Sequence, residues 1–271
     1  MRVAFQGDPG AFSEEGVHVL FPDAETLPRR TLRATFDAVS AGGAEYGVVP
    51  VENSQAGSIN ETYDLLVSSG ASIVGEVVVA VAHALLALPG TRLEDVRVVS
   101  SHPQALAQCQ EFLARLDAEL IAVFDTAGAA RRIARDHRGG EAAVASERAG
   151  ELYGLEVLAR EIQTDPGNQT RFAAIAMEPK PLGEPDKTSL SFATRNVPGA
   201  LVRCLQLFAD RGLNLSKLES RPLGGGQAWR YRFFLDVDAG LEDPALQAAL
   251  AELEREAAVV RVLGTYPRWK P

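Results

Sequence analysis

The chain has 271 residues, of which 46% are hydrophobic and 23% are charged, and its formal net charge is −9. This composition is typical of a folded globular protein with room for two domains, and it excludes disorder as the dominant state. The negative charge disfavours binding to nucleic acid or to an anionic membrane, so an anionic small ligand would need a local positive site.

The first region alternates apolar runs with amphipathic stretches, which is the pattern of an α/β layer architecture. Three predicted strands are each followed by a helix: 3–5 with a helix from about Ser13, 46–51 with a helix from about Ser58, and 96–99 with a helix from Ser101. Ser13 fits a plain N-cap, Ser58 and Ser101 fit capping boxes, and Asp125 begins a fourth helix. These helix starts either only cap their helices or converge on one cleft, where free N–H groups bind carboxylates.

A Val-rich run, residues 77–88, is predicted to be one strand that crosses from a first lobe to a second. The run is too short for a membrane span, which needs about 20 residues. Residues 168–176, with the sequence NQTRFAAIA, are predicted to be the return strand. The first lobe then comprises approximately residues 1–76 with 165–178, and the second comprises 77–164.

A proline-rich segment divides the chain. We predict a linker at residues 179–186 between a first domain, 1–178, and a second domain, 187–271. After the linker the order is strand, helix, strand, GGGQ turn, strand, helix and strand, which is the ferredoxin-like βαββαβ unit. Within residues 229–238, alternation predicts one apolar face formed by Trp229, Tyr231, Phe233, Leu235 and Val237.

Cysteine and histidine usage indicates no metal site, because the four histidines are scattered along the chain. Cys109 and Cys204 each fall in the apolar stripe of a predicted helix, and we expect two buried free thiols, as in a reducing compartment. The N-terminus lacks the apolar core of a signal peptide, so we expect a cytoplasmic protein.

Two polar stretches adjoin apolar strands and are candidates for a site. Glu52, Asn53 and Ser54 follow one strand directly, at the strand end where α/β proteins bind ligands; an exposed turn is the alternative. Thr170 and Arg171 precede the apolar half of another strand. The hydroxyl can donate a hydrogen bond, and the guanidinium can bind a carboxylate at two points.

Thr170 is not predicted to be the nucleophile of a catalytic triad, because no elbow motif is present and no histidine lies nearby in sequence. His83 and His102 are interpreted as a core residue and a helix-start residue rather than as catalysts. From these residues alone, an enzyme and a solute-binding protein both remain open.

Four motifs in this order resemble the prephenate dehydratase family: GDPGAFSEEG (7–16), VPVENSQAGSINETYDLL (49–66), SHPQALAQC (101–109) and NQTRF (168–172). Residues 195–222 resemble the phenylalanine-binding ACT domain that accompanies it. The resemblance covers about residues 1–176 and 187–267. No mutase-like helical segment precedes Met1, so the resemblance is to the monofunctional form.

This resemblance implies a cofactor-free enzyme with a two-lobed α/β catalytic domain similar to the periplasmic-binding-protein type. Prephenate would lose water and CO2 to give phenylpyruvate, on the route to phenylalanine. Thr170 would polarise or protonate the leaving hydroxyl, Arg171 would bind a substrate carboxylate, and Glu52 completes the implied catalytic set. The implied substrate-binding residues are Asn53, Ser54, Ser101, Gln108, Asp125, Asn168 and Phe172.

In the second domain the resemblance implies an allosteric phenylalanine site between subunits, which requires a homodimer or homotetramer. Its residues are Asn196, Pro198, Gly199, Ala200, Leu201, Glu219, Ser220, Arg221 and Pro222. A module used only for dimerisation is the alternative. For the whole chain, the alternatives are an arogenate dehydratase, whose substrate carries an amino group in place of the side-chain keto group, and a non-catalytic amino-acid-sensing protein.

Overall fold

Two β-sheets organise the chain, which this computed structural model describes over residues 1–223 and 230–270. The strands are β1 (Arg2–Gln6), β2 (Glu25–Arg29), β3 (Tyr46–Asn53), β4 (Gly57–Ser58), β5 (Ser72–Ala80), β6 (Ala84–Ala87), β7 (Val98–Ser101), β8 (Glu119–Ala122), β9 (Glu141–Ala145), β10 (Glu156–Ala159), β11 (Gln169–Ala176), β12 (Lys187–Ala193), β13 (Leu215–Pro222), β14 (Tyr231–Val237) and β15 (Val259–Tyr266).

Helices cover both sheets. They are α1 (Phe12–Leu20), α2 (Leu32–Ser40), α3 (Asn60–Ser69), α4 (Pro103–Gln108), α5 (Gln110–Leu113), α6 (Thr126–Asp136), α7 (Glu147–Tyr153), α8 (Ala200–Ala209) and α9 (Pro244–Glu256), with a short 3-10 helix at Leu93–Asp95. Within the described residues, no helix is long and apolar enough to cross a membrane.

The larger sheet has ten strands in the order β13-β14-β12-β15-β5-β11-β3-β1-β2, with β4 added beside β3. It therefore runs through the first lobe and the C-terminal domain without interruption. The smaller sheet has five strands in the order β10-β6-β9-β7-β8 and forms the second lobe. Both lobes combine strands and helices, which confirms the predicted two-lobed α/β class.

Two chain passages connect the lobes. The predicted continuous strand at 77–88 is in fact two strands, because β5 belongs to the large sheet and β6 to the small one. The chain changes sheet at residues 81–83. It returns at β11, as predicted, and there pairs antiparallel with both β5 and β3 in the large sheet.

Three predicted helix caps are wrong, and a fourth is confirmed. Ser58 and Ser101 lie in β4 and β7, where cross-strand pairing holds their backbone extended; Ile59 and His102 are the N-caps instead. Ser13 lies inside α1, whose N-cap is Ala11, and its hydroxyl donates to the Gln6 carbonyl oxygen at 2.5 Å. The Asp125 side chain does cap α6, accepting from the Gly128 N–H.

The C-terminal domain has the predicted βαββαβ order, β12-α8-β13-β14-α9-β15. Phe233, Leu235 and Val237 pack under the two helices, as the alternation predicts, whereas Tyr231 of the same predicted face is 38% exposed. The opposite face of the same strand is buried as well, because Phe234 packs against α2 and α3 of the first lobe. The predicted GGGQ turn and Trp229 lie outside the described residues.

Both thiols are buried and free, as predicted. Burial raises the pKa of the Cys109 thiol to about 12 and also raises that of Cys204, so both stay protonated at neutral pH. The helix predicted around Cys109 is divided at that residue, since α4 ends at Gln108 and α5 begins at Gln110.

The two parts of the large sheet meet where β15 runs parallel to β5. Their register pairs Gly264 with Ile73. A Cβ atom added at Gly264 would lie 2.1 Å from the Ile73 carbonyl oxygen, so only glycine allows the two backbones to approach this closely.

We expect Gly264→Ala to shift β15 away from β5 and to lower the free energy of unfolding by about 1–3 kcal/mol, the usual cost of overpacking. Urea denaturation measures the change. Gly139→Ala is the matched control, because a Cβ atom there meets no heavy atom within 4 Å. Equal unfolding free energies for the two variants would contradict the close-approach account of Gly264.

Candidate active site

A cavity of about 210 Å³ opens between the two lobes. The first lobe contributes the end of β1, the start of α1 and parts of β3 and β11. The second lobe contributes α4 and the start of α6. The lining residues are Gln6, Gly7, Ala11, Phe12, Ser13, Pro50, Asn53, Ile59, Val81, His83, His102, Gln104, Ala105, Gln108, Phe124, Asp125, Thr126, Thr170 and Phe172.

Thr170 and Asn53 form the centre of the first-lobe wall. They are directly opposite each other on β11 and β3, and both side chains are buried. Asn53 Nδ2 donates to Thr170 Oγ1 at 3.0 Å and to Asn168 Oδ1 at 2.8 Å. Because Thr170 Oγ1 accepts in this contact, its own hydrogen is left for another acceptor, such as a ligand in the cavity.

A second set of contacts reaches this pair from the other lobe. Gln108 Nε2 lies 3.5 Å from Asn53 Oδ1, and Gln108 Oε1 lies 2.9 Å from His83 Nε2. The amide oxygen can only accept, so His83 carries its proton on Nε2. Burial lowers the pKa of His83, which keeps its ring neutral at neutral pH. His83 thus orients Gln108, a role that the sequence did not predict.

Asp125 stands on the second-lobe wall, at the head of α6. Burial raises the pKa of its carboxyl above the ordinary value, and the capping N–H of Gly128 opposes part of that rise. Beside it opens a groove of about 500 Å³ that shares Gly7, Phe124 and Asp125 with the cavity. Four arginines line this groove: Arg29, Arg30, Arg131 and Arg132.

Arg171 faces away from the cavity. Successive side chains on a strand point to opposite faces, so Thr170 and Arg171 cannot both point into one cleft. The Arg171 guanidinium is only 15% exposed and contacts three carboxylates: Asp236 at 2.8 Å, Glu52 at 3.0 Å and Glu76 at 3.2 Å. The expected contact between Arg171 and a substrate carboxylate is therefore corrected to contacts within the protein.

These contacts belong to an ion cluster of six side chains, with three positive and three negative charges; Glu76, Lys187 and Asp236 are buried, and Glu52 is the most exposed at 37%. Lys187 Nζ lies 3.0 Å from Glu76, and Lys217 Nζ lies 2.8 Å from Glu52. The members are Glu52, Glu76, Arg171, Lys187, Lys217 and Asp236. Three come from the first lobe and three from the C-terminal domain, so the cluster joins the two across the face of the large sheet opposite the cavity.

The other predicted site residues divide into two groups. Asn53, Gln108, Asp125, Thr170 and Phe172 line the cavity. The remaining ones do not.

The expected lining is corrected at four further positions. Glu52 shares the face of Arg171. Ser101 is fully buried and its hydroxyl donates to the Val144 carbonyl oxygen at 2.6 Å. Ser54 is exposed and bonds the backbone near Gly167, and Asn168 lies behind Asn53 as its acceptor.

In the C-terminal domain, a smaller cavity of about 220 Å³ lies at the start of α8. Asn196, Gly199, Ala200 and Leu201 of the predicted effector site line it. Pro198 lies in the same loop.

Across the adjacent strand pair, Ser220 and Pro222 of β13 lie opposite Phe233 and Tyr231, which also line this cavity. Glu219 and Arg221 instead face the first lobe. Glu219 accepts from Ser58 Oγ at 3.0 Å, and Arg221 pairs with Asp64 at 3.1 Å. The two faces of β13 therefore contact different parts of the molecule.

Sequence reasoning missed the ion cluster, although one signal was present. Glu76 directly precedes the Val-rich run and Asp236 lies within FFLDVD, and a carboxylate inside a buried strand requires a partner. The cations that pair with these two carboxylates lie far away in the chain: Arg171 is 95 residues from Glu76 and 65 from Asp236. Across the described residues, no group of three or more His, Cys, Asp or Glu is arranged to hold a metal ion.

Two family models match the chain. Residues 3–180 match the family model for prephenate dehydratase, and residues 188–255 match that for the ACT domain. A protein of Arabidopsis thaliana named arogenate dehydratase/prephenate dehydratase 2, chloroplastic, is 45% identical over 98% of this chain and 73% of its own length.

Two solved structures are similar over the whole chain. One, prephenate dehydratase from Arthrobacter aurescens in complex with L-Phe, has a TM-score of 0.90 and 32% identity, covering 99% of this chain and 90% of that one. The other, GqqA, is described as a novel type of quorum quenching acylase. It has a TM-score of 0.90 and 38% identity, covering 99% of this chain and 98% of that one.

We expect Asp236→Asn to lower the free energy of unfolding by about 3–5 kcal/mol, because it leaves buried positive charge uncompensated. Although burial alone would raise the pKa of Asp236, Arg171 and Lys187 hold it below the usual range. The stabilisation is thus present above about pH 4 and is lost as the pH falls through the folded-state pKa.

Urea denaturation of the parent and of Asp236→Asn between pH 3 and pH 8 tests this. The difference between them should be largest at neutral pH and should shrink in acid. Asp23→Asn, at an exposed carboxylate, is the control. A constant difference across this range would show that the charge of Asp236 is not what stabilises the fold.

Proposed function

This chain belongs to the prephenate dehydratase family, and we propose that it converts prephenate to phenylpyruvate in the cavity between its two lobes. The ring carboxylate leaves as CO2 and its bonding electrons enter the ring. The C–O bond opposite breaks, and the departing hydroxide takes a proton to become water. Atoms and electrons balance without an oxidant or reductant, and the ring becomes aromatic.

The observation that carries this proposal is the contact between Asn53 and Thr170. The amide fixes Thr170 Oγ1 as an acceptor, so the hydroxyl hydrogen is available to the leaving oxygen of the substrate. Hydrogen bonding at that oxygen stabilises the negative charge that develops as the C–O bond breaks. Gln108 and His83 hold Asn53 from the opposite lobe, so the arrangement depends on both walls.

Prephenate carries two carboxylates, and the cavity itself needs neighbouring positive charge to bind them. Arg171 is occupied by Glu52, Glu76 and Asp236. Four arginines line the adjoining groove: Arg131 and Arg132 pair with carboxylates of the protein, and Arg29 and Arg30 lie beside Phe124. The head of α6 directs backbone N–H groups toward the same region. We assign carboxylate binding to this groove rather than to Arg171.

Arogenate is the second candidate substrate, favoured by the name of the Arabidopsis relative, which includes both activities. Arogenate would lose the same two groups and yield phenylalanine. The same cavity and the same Thr170 would serve, because the two substrates differ only in the side chain attached to the ring.

The acylase described for GqqA would require a different chemistry. Hydrolysis of an acyl bond generally needs a nucleophile in contact with a base. In this cavity Thr170 Oγ1 contacts Asn53, whereas His83 contacts Gln108 and His102 Nδ1 accepts from the Gln104 N–H. In residues 1–223 and 230–270 no histidine contacts the Thr170 hydroxyl, so the geometry favours dehydration.

We further propose that phenylalanine binds at the start of α8 and regulates the enzyme. The cavity there combines an apolar wall, including Leu201 and Phe233, with the exposed polar residue Asn196. The Arthrobacter relative was solved with L-Phe, which supports this ligand. A homodimer, with Ser220 and Pro222 near the interface, completes the site in this proposal.

Thr170→Val should lower kcat for prephenate by about 10²–10⁴-fold, the usual contribution of positioned proton transfer, with KM changed only a few-fold. Phenylpyruvate formation without added cofactor is the assay, and circular dichroism verifies the fold. Thr91→Val, outside the cavity lining, is the control. Turnover of Thr170→Val within a few-fold of the parent would remove Thr170 from the mechanism.

Asn196→Ala should weaken phenylalanine binding about tenfold, consistent with the loss of one hydrogen bond to a charged ligand. Isothermal titration calorimetry measures the affinity, and sedimentation velocity gives the oligomeric state in the same buffer. Gln247→Ala on α9, also exposed and outside this cavity, is the control. Unchanged affinity in Asn196→Ala would exclude Asn196 from the effector site.

A further inference from the structure

We propose that Asp125 determines the preference between prephenate and arogenate, with its ionised form favouring arogenate and its protonated form favouring prephenate. This role of Asp125 rests on the proposed function. It adds a specificity determinant to a site whose reaction the family already indicates.

The cavity has an unusual charge distribution for an enzyme that binds a dianion. Among its described lining residues Asp125 is the only acidic one, and none is lysine or arginine. The two histidines of the lining, His83 and His102, have pKa values lowered by burial and are neutral at neutral pH. The fixed charge within the cavity wall is therefore the carboxylate of Asp125.

The position of this carboxylate is set by the fold. Asp125 is the N-cap of α6, a helix of 11 residues, and its Oδ1 accepts from the Gly128 N–H. Its neighbours Phe124 and Thr126 also line the cavity. Asp125 thus lies on the second-lobe wall, whereas Thr170 and Asn53 lie on the first. A substrate whose leaving hydroxyl is at Thr170 extends its other end toward the second lobe.

The two substrates differ in charge at one side-chain carbon. Arogenate carries an ammonium group there, and prephenate carries a keto oxygen. An ionised carboxylate forms a charge-assisted hydrogen bond with the ammonium group but repels the keto oxygen. A protonated carboxyl group donates a hydrogen bond to the keto oxygen instead. The ionised form of Asp125 therefore favours arogenate, and its protonated form favours prephenate.

The surroundings of Asp125 raise the pH at which this change of state occurs. Burial raises its pKa, the Gly128 N–H lowers it, the nearby carboxylate of Asp8 raises it, and Arg131 and His102 lower it. Asp8 is itself paired with Arg131 at 3.0 Å. The net result is a raised pKa. Preference for arogenate should accordingly increase as the pH rises through the titration of Asp125.

The test compares kcat/KM for prephenate and for arogenate in the parent and in Asp125→Asn, between pH 4 and pH 8. Asparagine also caps helices well, so the fold of α6 is retained. Asp243→Asn is the matched control, because Asp243 caps α9 in the same way but lies in the C-terminal domain. Phenylpyruvate is measured for one substrate and phenylalanine for the other, from initial rates.

In the parent, the ratio of arogenate to prephenate kcat/KM should rise with pH. In Asp125→Asn it should be independent of pH and about tenfold or more lower at pH 8, consistent with the loss of a hydrogen bond between charged groups. Asp243→Asn should behave as the parent does.

Three results would overturn the role of Asp125 while leaving the proposed function intact: an unchanged ratio in Asp125→Asn, an equal fall in both kcat/KM values, or the same shift in Asp243→Asn. Failure of the folded parent to turn over either substrate would instead reject the proposed function.

Discussion

The alternation of side chains along β11 is the constraint on which the rest of the site depends. Thr170 and Arg171 are neighbours in sequence, so they must point to opposite faces of the large sheet. The same holds for Asn53 and Glu52 on β3, directly across from them. One face of this strand pair therefore carries the hydrogen-bonded Thr170 and Asn53, and the other carries the ion pair between Arg171 and Glu52.

The face that carries Arg171 and Glu52 also explains how the C-terminal domain is attached. Lys187, Lys217 and Asp236 contribute half of the ion cluster, so the charges on this face of the β3–β11 pair are balanced only when that domain is in place. Removing charges from water is costly unless they pair with good geometry, and such clusters favour one arrangement of the parts over others. Strand β13 carries Lys217 and Glu219 toward the first lobe and Ser220 toward the proposed effector site. Lys217 of β13 contacts Glu52, which is next to Asn53 in the chain.

Different arginines contact the protein interior and the groove between the lobes. Burial is the largest single influence on the pKa of Arg171 and lowers it. Asp236 and the other facing groups outweigh burial, so the pKa is raised overall. Arg171 is fully committed to the protein interior. Four other arginines line the groove between the lobes, and the lining of the cavity beside them is neutral except for Asp125.

The sequence by itself determined the features that depend on local patterns. The α/β class, the βαββαβ order, the buried thiols, the Asp125 cap and the return strand at β11 all follow from periodicity and from residues a few positions apart. The cavity-lining residues Asn53, Gln108 and Thr170 were also predicted to belong to the site, through motif order rather than through geometry.

Only the tertiary structure decided which partners these residues meet. Ser58 and Ser101 became strand residues rather than caps because cross-strand pairing holds them. Arg171 meets Asp236, 65 residues away, and His83 meets Gln108 on another element. Local propensity extends over a helical turn or a strand pair, whereas these contacts depend on how whole sheets pack. The packing of the C-terminal domain against the first lobe places Arg171 among carboxylates of the protein, on the face of β11 opposite the cavity.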